Sequence, residues 1–342
     1  MIRSTSFLLV SVFTIVFSFA STSIEAMTIN GAGATFPYPI YSKWISEYQK
    51  VETSVRFNYQ SIGSGGGVRQ ILNQTVDFGA SDDPLSDADM KSSAEKGWPL
   101  VHIPTVIGSV TVAYNLPSVT ERLKLDGPTL AEIFLRKIVK WNDSKIAALN
   151  PDVTLPDADI LVVRRADGSG TTAVFADYLS TVSPEWNKAP GRGKSLRWPA
   201  GAIGARGNEG VTAMVKQTVG AIGYIELAYS IQNNLPTALI KNRAGEFQAP
   251  TTKAVSKSAE MIKDFSGDLR MSIVDAEGPG VYPISAFTYI LIPDKKETDE
   301  KLTAVKKFLV WSLTKGQGFA EELHYSALPE ALRTQLVKKL TP

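Results

Sequence analysis

Three stretches of the chain combine a glycine turn with a hydroxyl side chain at the expected start of a helix, a pairing suited to holding an oxyanion. They are Gly31-Ala-Gly-Ala-Thr-Phe36, Gly63-Ser-Gly-Gly-Gly67 and Asp167-Gly-Ser-Gly-Thr-Thr172. Each follows a β-like run, so each leaves free backbone N–H groups at a helix N-terminus, where the dipole favours negative charge. Thr35, Ser64, Ser169 and Thr171 add hydroxyls, and glycine lets the backbone approach a ligand closely. Taken singly, each stretch is also what an ordinary N-cap looks like. None matches a nucleotide-binding pattern: the run from Gly63 lacks the third glycine of the dinucleotide fingerprint, and no Gly-Lys-Ser/Thr follows.

Charge near these turns narrows the chemistry. Arg165 leaves the end of a β-like run four residues before Ser169, where a guanidinium can hold an anion by two parallel hydrogen bonds. It can equally be a surface arginine paired with Asp167, and both hold together if Asp167 braces it. Asp82 is the odd member. A carboxylate repels a bare oxyanion, yet accepts a hydrogen bond from one that still carries a proton. Phosphate carries such a proton at neutral pH and sulfate does not. The plainer reading of Asp82 is an Asx-turn residue ahead of Pro84.

Strands alternating with helices must bring these turns together. Met27 to Gly33, Val55 to Tyr59 and Asp77 to Asp82 read as strands. Tyr41, Trp44, Ile45 and Tyr48 fall at helical spacing, as do Val68, Ile71 and Leu72. Further on, Leu130 to Trp141 reads as a helix and Ile160 to Val163 as a strand running into the Arg165 loop. A third helix carries Val174, Phe175, Tyr178 and Leu179, and Ala221 to Tyr224 is another strand. Leu302, Val305 and Leu309 mark a C-terminal helix, with a short one at Leu336 to Leu340. Pro184 to Pro199 and Gly245 to Lys257 read as loops. The alternation implies α/β domains with mixed or parallel sheets. Two candidate crossover strands, near Val106 and Phe287, suggest a middle domain, 107–277, inserted into an outer one built from 27–106 and 278–342.

Composition excludes much else. The 342 residues suit two domains of roughly 150 residues each. A net charge of +2 supplies no basic field for nucleic acid, so any anion site must be local. With no cysteine there are no disulfides, thiolate metal sites, cysteine nucleophiles or lipid attachment through an N-terminal cysteine. His102 and His324 are the only histidines, too few for a metal cluster or a Ser-His-Asp triad. No metal or cofactor is therefore expected. Residues 1–26 read as an export signal: Arg3 gives the positive region and Phe7 to Ala20 an apolar run inside the usual length of roughly 7–15 residues. Cleavage is expected near Ala26, although Ile24 is large for its position; the alternative is an N-terminal anchor, for which the run falls short of ~20 residues.

At these residues the chain resembles the periplasmic phosphate-binding protein of the bacterial high-affinity phosphate ABC transporter. The resemblance runs over nearly the whole mature chain and rests on Gly31-Ala-Gly-Ala-Thr-Phe-Pro37, Tyr59-Gln-Ser-Ile-Gly-Ser64, Val76-Asp-Phe-Gly-Ala-Ser-Asp82 and Val162-Val-Arg-Arg-Ala-Asp-Gly-Ser-Gly-Thr171. It implies a two-lobed α/β periplasmic binding protein of type II-like architecture, with a cleft between the lobes. By the same resemblance Thr35, Phe36, Ser64, Asp82, Arg165, Ser169, Gly170 and Thr171 would bind phosphate, and Asp167 would hold Arg165. The chain departs at Asp83, where the family often has alanine; a second carboxylate there can raise the pKa of Asp82. The loop from Pro190 to Arg197 carries no role over. Expected with it are a monomer in the periplasm without a lipid anchor, a membrane-embedded permease as partner, and binding without catalysis. The rival readings are a receptor for sulfate, molybdate or tungstate, a secreted phosphatase and a structural surface protein.

Overall fold

The computed structural model describes residues 26–262, 264–265, 267–295 and 299–341. Apart from Ala26, the expected export signal lies outside them. The strands are β1 (Met27–Gly33), β2 (Val55–Ser61), β3 (Phe78–Ser81), β4 (Leu100–Tyr114), β5 (Lys124–Leu125), β6 (Leu161–Arg165), β7 (Ile203–Ala205), β8 (Ala221–Glu226), β9 (Leu239–Lys241), β10 (Phe247–Gln248) and β11 (Ser285–Pro293). The helices are α1 (Tyr38–Val51), α2 (Ser64–Leu72), α3 (Asp87–Glu95), α4 (Gly127–Phe134), α5 (Ser144–Leu149), α6 (Gly170–Val182), α7 (Pro184–Lys188), α8 (Gly207–Gln217), α9 (Leu227–Gln232), α10 (Thr252–Glu260), α11 (Glu300–Thr314) and α12 (Glu330–Leu340). Among the described residues, no helix is long and apolar enough to cross a membrane.

Eight strands form one curled sheet in the order β2-β1-β3-β11-β4-β8-β6-β7, and β10, β9 and β5 form a small second one. The large sheet has two halves. In the first, β2, β1 and β3 run parallel, with β11 antiparallel between β3 and β4. In the second, β6, β7 and β8 run parallel. The 15-residue β4 joins them: Leu100 to Ser109 pairs with β11, and Val110 to Tyr114 pairs with β8. Pro104 falls in the stretch of β4 that has a strand on one side only, where an absent N–H is best tolerated. Thr105, just after it, is the unmatched residue of a bulge opposite Thr288 and Tyr289.

Each half carries an aromatic core. In the first, the buried face of α1 offers Tyr41, Trp44 and Tyr48, and Tyr48 meets Phe57, Phe308 and Trp311 edge-on. The Trp44 indole N–H donates to Gly316 O at 2.7 Å, tying α1 to the C-terminal segment. In the second, Phe175 stacks on Tyr224 with ring centroids 4.5 Å apart, and Trp198 packs on the same tyrosine. Burying such large rings contributes strongly to the stability of each half.

Three expected elements differ. The helix read over Leu130 to Trp141 ends at Phe134, because Arg136 adopts a left-handed φ of 61°. Trp141 instead turns inward and donates its indole N–H to Gly220 O at 3.0 Å. The loop read from Gly245 to Lys257 holds β10 and the start of α10, whose N-cap Thr251 accepts from Ala254 N. The loop read from Pro184 opens with α7, capped by Ser183.

Candidate functional site

All three glycine turns lie at the carboxyl ends of parallel strands, where α/β sheets hold their ligands. Thr35 and Phe36 follow β1, Ser64 opens α2 after β2, and Asp82 follows β3. From the other half, Arg165 ends β6, and Ser169 caps α6, which opens with Gly170 and Thr171. The fold thus brings all eight expected residues together, and all lie in the protein interior. Gly170 shows how tightly: a Cβ on it would collide with Asp82 Oδ2 and Ser64 Oγ across the cleft. The Gly65 N–H also donates to Gly168 O at 2.8 Å from one half to the other.

The site holds two ionic centres, the Arg165–Asp167 pair and Asp82. Arg165 donates to Asp167 through Nε (2.8 Å) and Nη2 (2.5 Å), and through Nη1 to Thr171 Oγ1 (3.3 Å). Its backbone N–H donates to the Tyr224 hydroxyl. Burial alone would push the Asp167 carboxyl up, but the Arg165 hydrogen bonds and charge outweigh it and hold it below the usual range. Gly207 N–H also donates to Asp167 Oδ1. Three of the five guanidinium N–H groups are thereby used, leaving two for a ligand.

Asp82 is 4% exposed. It accepts from Thr288 Oγ1 on Oδ1 (2.7 Å) and from Ser64 Oγ on Oδ2 (3.2 Å). Burial is the main cause that pushes its carboxyl up to about 7, against the lowering effects of Thr288, Arg165 and Ser64. The neighbouring Asp83 adds only a small further rise. The reason is visible: Asp83 is partly exposed and pairs with Lys194, which reaches over from the Pro190-to-Arg197 loop of the other half.

The hydroxyls already serve the protein as acceptors. Ser169 Oγ accepts from Thr172 N at 3.0 Å, the ordinary N-cap bond. Thr35 Oγ1 accepts from Asn208 N (3.1 Å) and Nδ2 (2.8 Å), and Thr171 Oγ1 accepts from the same Nδ2 at 3.1 Å. The N–H groups of Ser64, Gly170 and Thr171 open helices and have no acceptor within them. The cleft is therefore lined with donors around the Asp82 carboxylate, while Asp167 is taken up by Arg165.

Four participants escape the sequence reading: Asn208, Tyr229, Thr288 and Lys194. Asn208 had a readable signal. Ile203-Gly-Ala-Arg-Gly-Asn208 is a fourth strand–glycine–helix unit, with Gly207 at φ 69°, but its strand is only three residues long. Tyr229, whose hydroxyl donates to Thr35 O at 2.6 Å, has no local signature. Among the described residues, no group of three or more His, Asp or Glu side chains is placed to hold a metal ion.

Parallel strands ending at a cleft between two halves, with helix N-termini turned inward, define the class of periplasmic binding proteins, and the family model described as a PBP superfamily domain matches residues 20–315. In structure, the chain resembles a high-affinity periplasmic phosphate-binding protein, PfluDING, solved with phosphate bound: TM-score 0.74 at 22% identity, over 91% of this chain and 93% of that one. In sequence, it is 45% identical to the phosphate-binding protein PstS of Pasteurella multocida, over 92% of this chain and 90% of the relative. It is also 45% identical to the PstS of Haemophilus influenzae, over 89% and 90%. The chain belongs to the PstS family of phosphate-binding proteins.

Proposed function

We propose that this protein binds inorganic phosphate in the periplasm by closing two lobes around it, and delivers it to the membrane permease of a phosphate ABC transporter. Its relatives bear the name of phosphate-binding proteins, and the cleft offers the chemistry that phosphate needs. Lobe I comprises 27–106 and 278–342, and lobe II comprises 107–277. The change of partner along β4 at Ser109 and Val110 supports a boundary nearby. Thr35, Phe36 and Ser64 donate from lobe I. From lobe II, Arg165, the hydroxyls of Ser169 and Thr171 and the N–H groups of Gly170 and Thr171 donate, and Asp167 holds Arg165 in place. Asp82 accepts the phosphate proton. The protein works as a monomer, exported by residues 1–26, and performs no chemistry on its ligand.

Asp82 is the observation that carries this reading. A buried carboxylate among donors suits an anion that brings its own proton. Against sulfate it faces an anion with nothing to share, and a buried clash of that kind costs several kcal/mol. A phosphatase would need a base or metal ligands. His102 spends Nε2 accepting from Leu85 N–H at 2.9 Å, and burial holds it down to about 4. Titration calorimetry of phosphate against sulfate tests the proposal: phosphate is expected to bind at least ~1,000-fold more tightly. Comparable binding of the two would sink the role given to Asp82.

A further inference from the structure

We propose that Asn208 sets the direction of the hydroxyl protons in the cleft: one buried amide fills acceptor sites on Thr35 and Thr171 at once, so that both hydroxyls can only donate to a bound anion. This rests on the phosphate reading and names a residue that tunes it without touching the ligand.

A hydroxyl has one proton and two acceptor lone pairs. On Thr35 Oγ1 both lone pairs are taken, by the Asn208 backbone N–H at 3.1 Å and by Nδ2 at 2.8 Å. On Thr171 Oγ1 they are taken by the same Nδ2 at 3.1 Å and by Arg165 Nη1 at 3.3 Å. The two Nδ2 protons are thus divided between the β1 turn and the α6 N-terminus, which come from opposite halves of the sheet. What remains on each threonine oxygen is its own proton. Left to itself, a hydroxyl rotates to suit its neighbours, and near a carboxylate or carbonyl it would turn its proton away from an incoming anion.

The amide itself cannot turn over. Oδ1 accepts from Glu226 N at 2.9 Å. Flipping the side chain would set NH2 against that N–H and point the carbonyl oxygen at Thr35 and Thr171, drawing their protons out of the cleft. Asn208, Thr35 and Thr171 are all within 2% of full burial, so water does not substitute for the missing donors. Asn208 is therefore a positioning residue acting through two hydroxyls, and it also joins the halves of the sheet.

The test is a set of phosphate titrations on the full chain. Asn208→Ala is expected to weaken phosphate binding on the order of 10- to 100-fold, and the paired change Thr35→Val with Thr171→Val by a similar factor. If Asn208 acts through those hydroxyls, the triple variant loses little more than the pair alone. If it is merely a strut, the losses multiply, and that result overturns the proposal. Asn208→Asp keeps the shape and the Oδ1 acceptor but takes both threonine protons onto its carboxylate. It is expected to bind more weakly than Asn208→Ala, and it provides the reading should the alanine variant fail to fold. Wild-type-like affinity in either variant also overturns the proposal. A wild-type protein that does not bind phosphate sinks the underlying reading instead, before any variant is compared.

Discussion

Two aspartates, one from each half of the sheet, are driven in opposite directions. Asp167, beside Arg165, is held below the usual carboxylate range. Asp82, with only hydroxyls against its oxygens and Arg165 acting at longer range, is pushed up to about 7 by burial. A pair of like groups tuned apart marks a division of labour. The α6 jaw is an attracting surface whose charge is already balanced by its own ion pair. On the proposed phosphate reading the β3 jaw is the discriminating one, its carboxylate accepting the ligand's proton and penalising an anion without one. On that reading attraction and selectivity come from different segments of the chain and should be separable by mutation.

The sharpest way to break this contrast is Arg165→Ala. It strips the attracting jaw of its cation and leaves Asp167 half-buried and unpaired. Truncating one partner of a buried, hydrogen-bonded charge pair in a binding site costs about 2–5 kcal/mol of binding, so calorimetry should find a loss of phosphate affinity on the order of 1,000-fold, and thermal unfolding a less stable protein, because Asp167 loses its cation. An unchanged affinity would mean that α6 and the hydroxyls suffice. Next comes the pH dependence of the ligand-free protein. Asp82 ionises near 7 when folded and near 3.8 when unfolded. Between those values the folded chain keeps a proton that the unfolded chain releases, so stability present below about pH 4 is lost as pH rises toward 7. The loss attributable to this group is on the order of 4 kcal/mol. Denaturant titrations of wild type and Asp82→Asn should therefore diverge across that window; parallel curves would place the carboxyl at an ordinary pKa. The smallest effect belongs to Lys194→Ala. Its ion pair with Asp83 is partly exposed, and such pairs contribute roughly 0.2–1 kcal/mol. Phosphate affinity should fall less than about tenfold, and the difference should shrink as salt is raised. A larger, salt-insensitive loss would make Asp83 part of the discriminating jaw.

Much of the cleft was legible because its chemistry is written locally. A glycine turn, a hydroxyl and a helical stripe lie within a few residues of each other at Thr35, Ser64 and Ser169. The same holds for Arg165 and Asp167, two residues apart. What stayed hidden acts at long range. Thr288 reaches Asp82 across 206 positions, and Asn208 reaches Thr35 across 173. No pattern in a single sequence links such positions. Asp83 shows the same limit: its residue type raised the question of repulsion, but the answer lay in Lys194, on a loop to which the resemblance assigned no role. The helix read to Trp141 failed for a different reason. Apolar spacing from Leu130 onward continues past Phe134, but Arg136 turns left-handed, and spacing does not report a backbone reversal.

The long β4 strand has a mechanical consequence. It passes its hydrogen bonds from β11 to β8 at adjacent residues, Ser109 and Val110, without an unpaired gap. A joint built this way bends like a leaf spring rather than a door hinge. Rotation of one half against the other is taken up as small changes of twist along many peptide units, and no single torsion swings freely. Stiffness is then a property of the whole ribbon, so the resting angle between the halves should shift by degrees when one residue of β4 is altered, and the joint should not come loose.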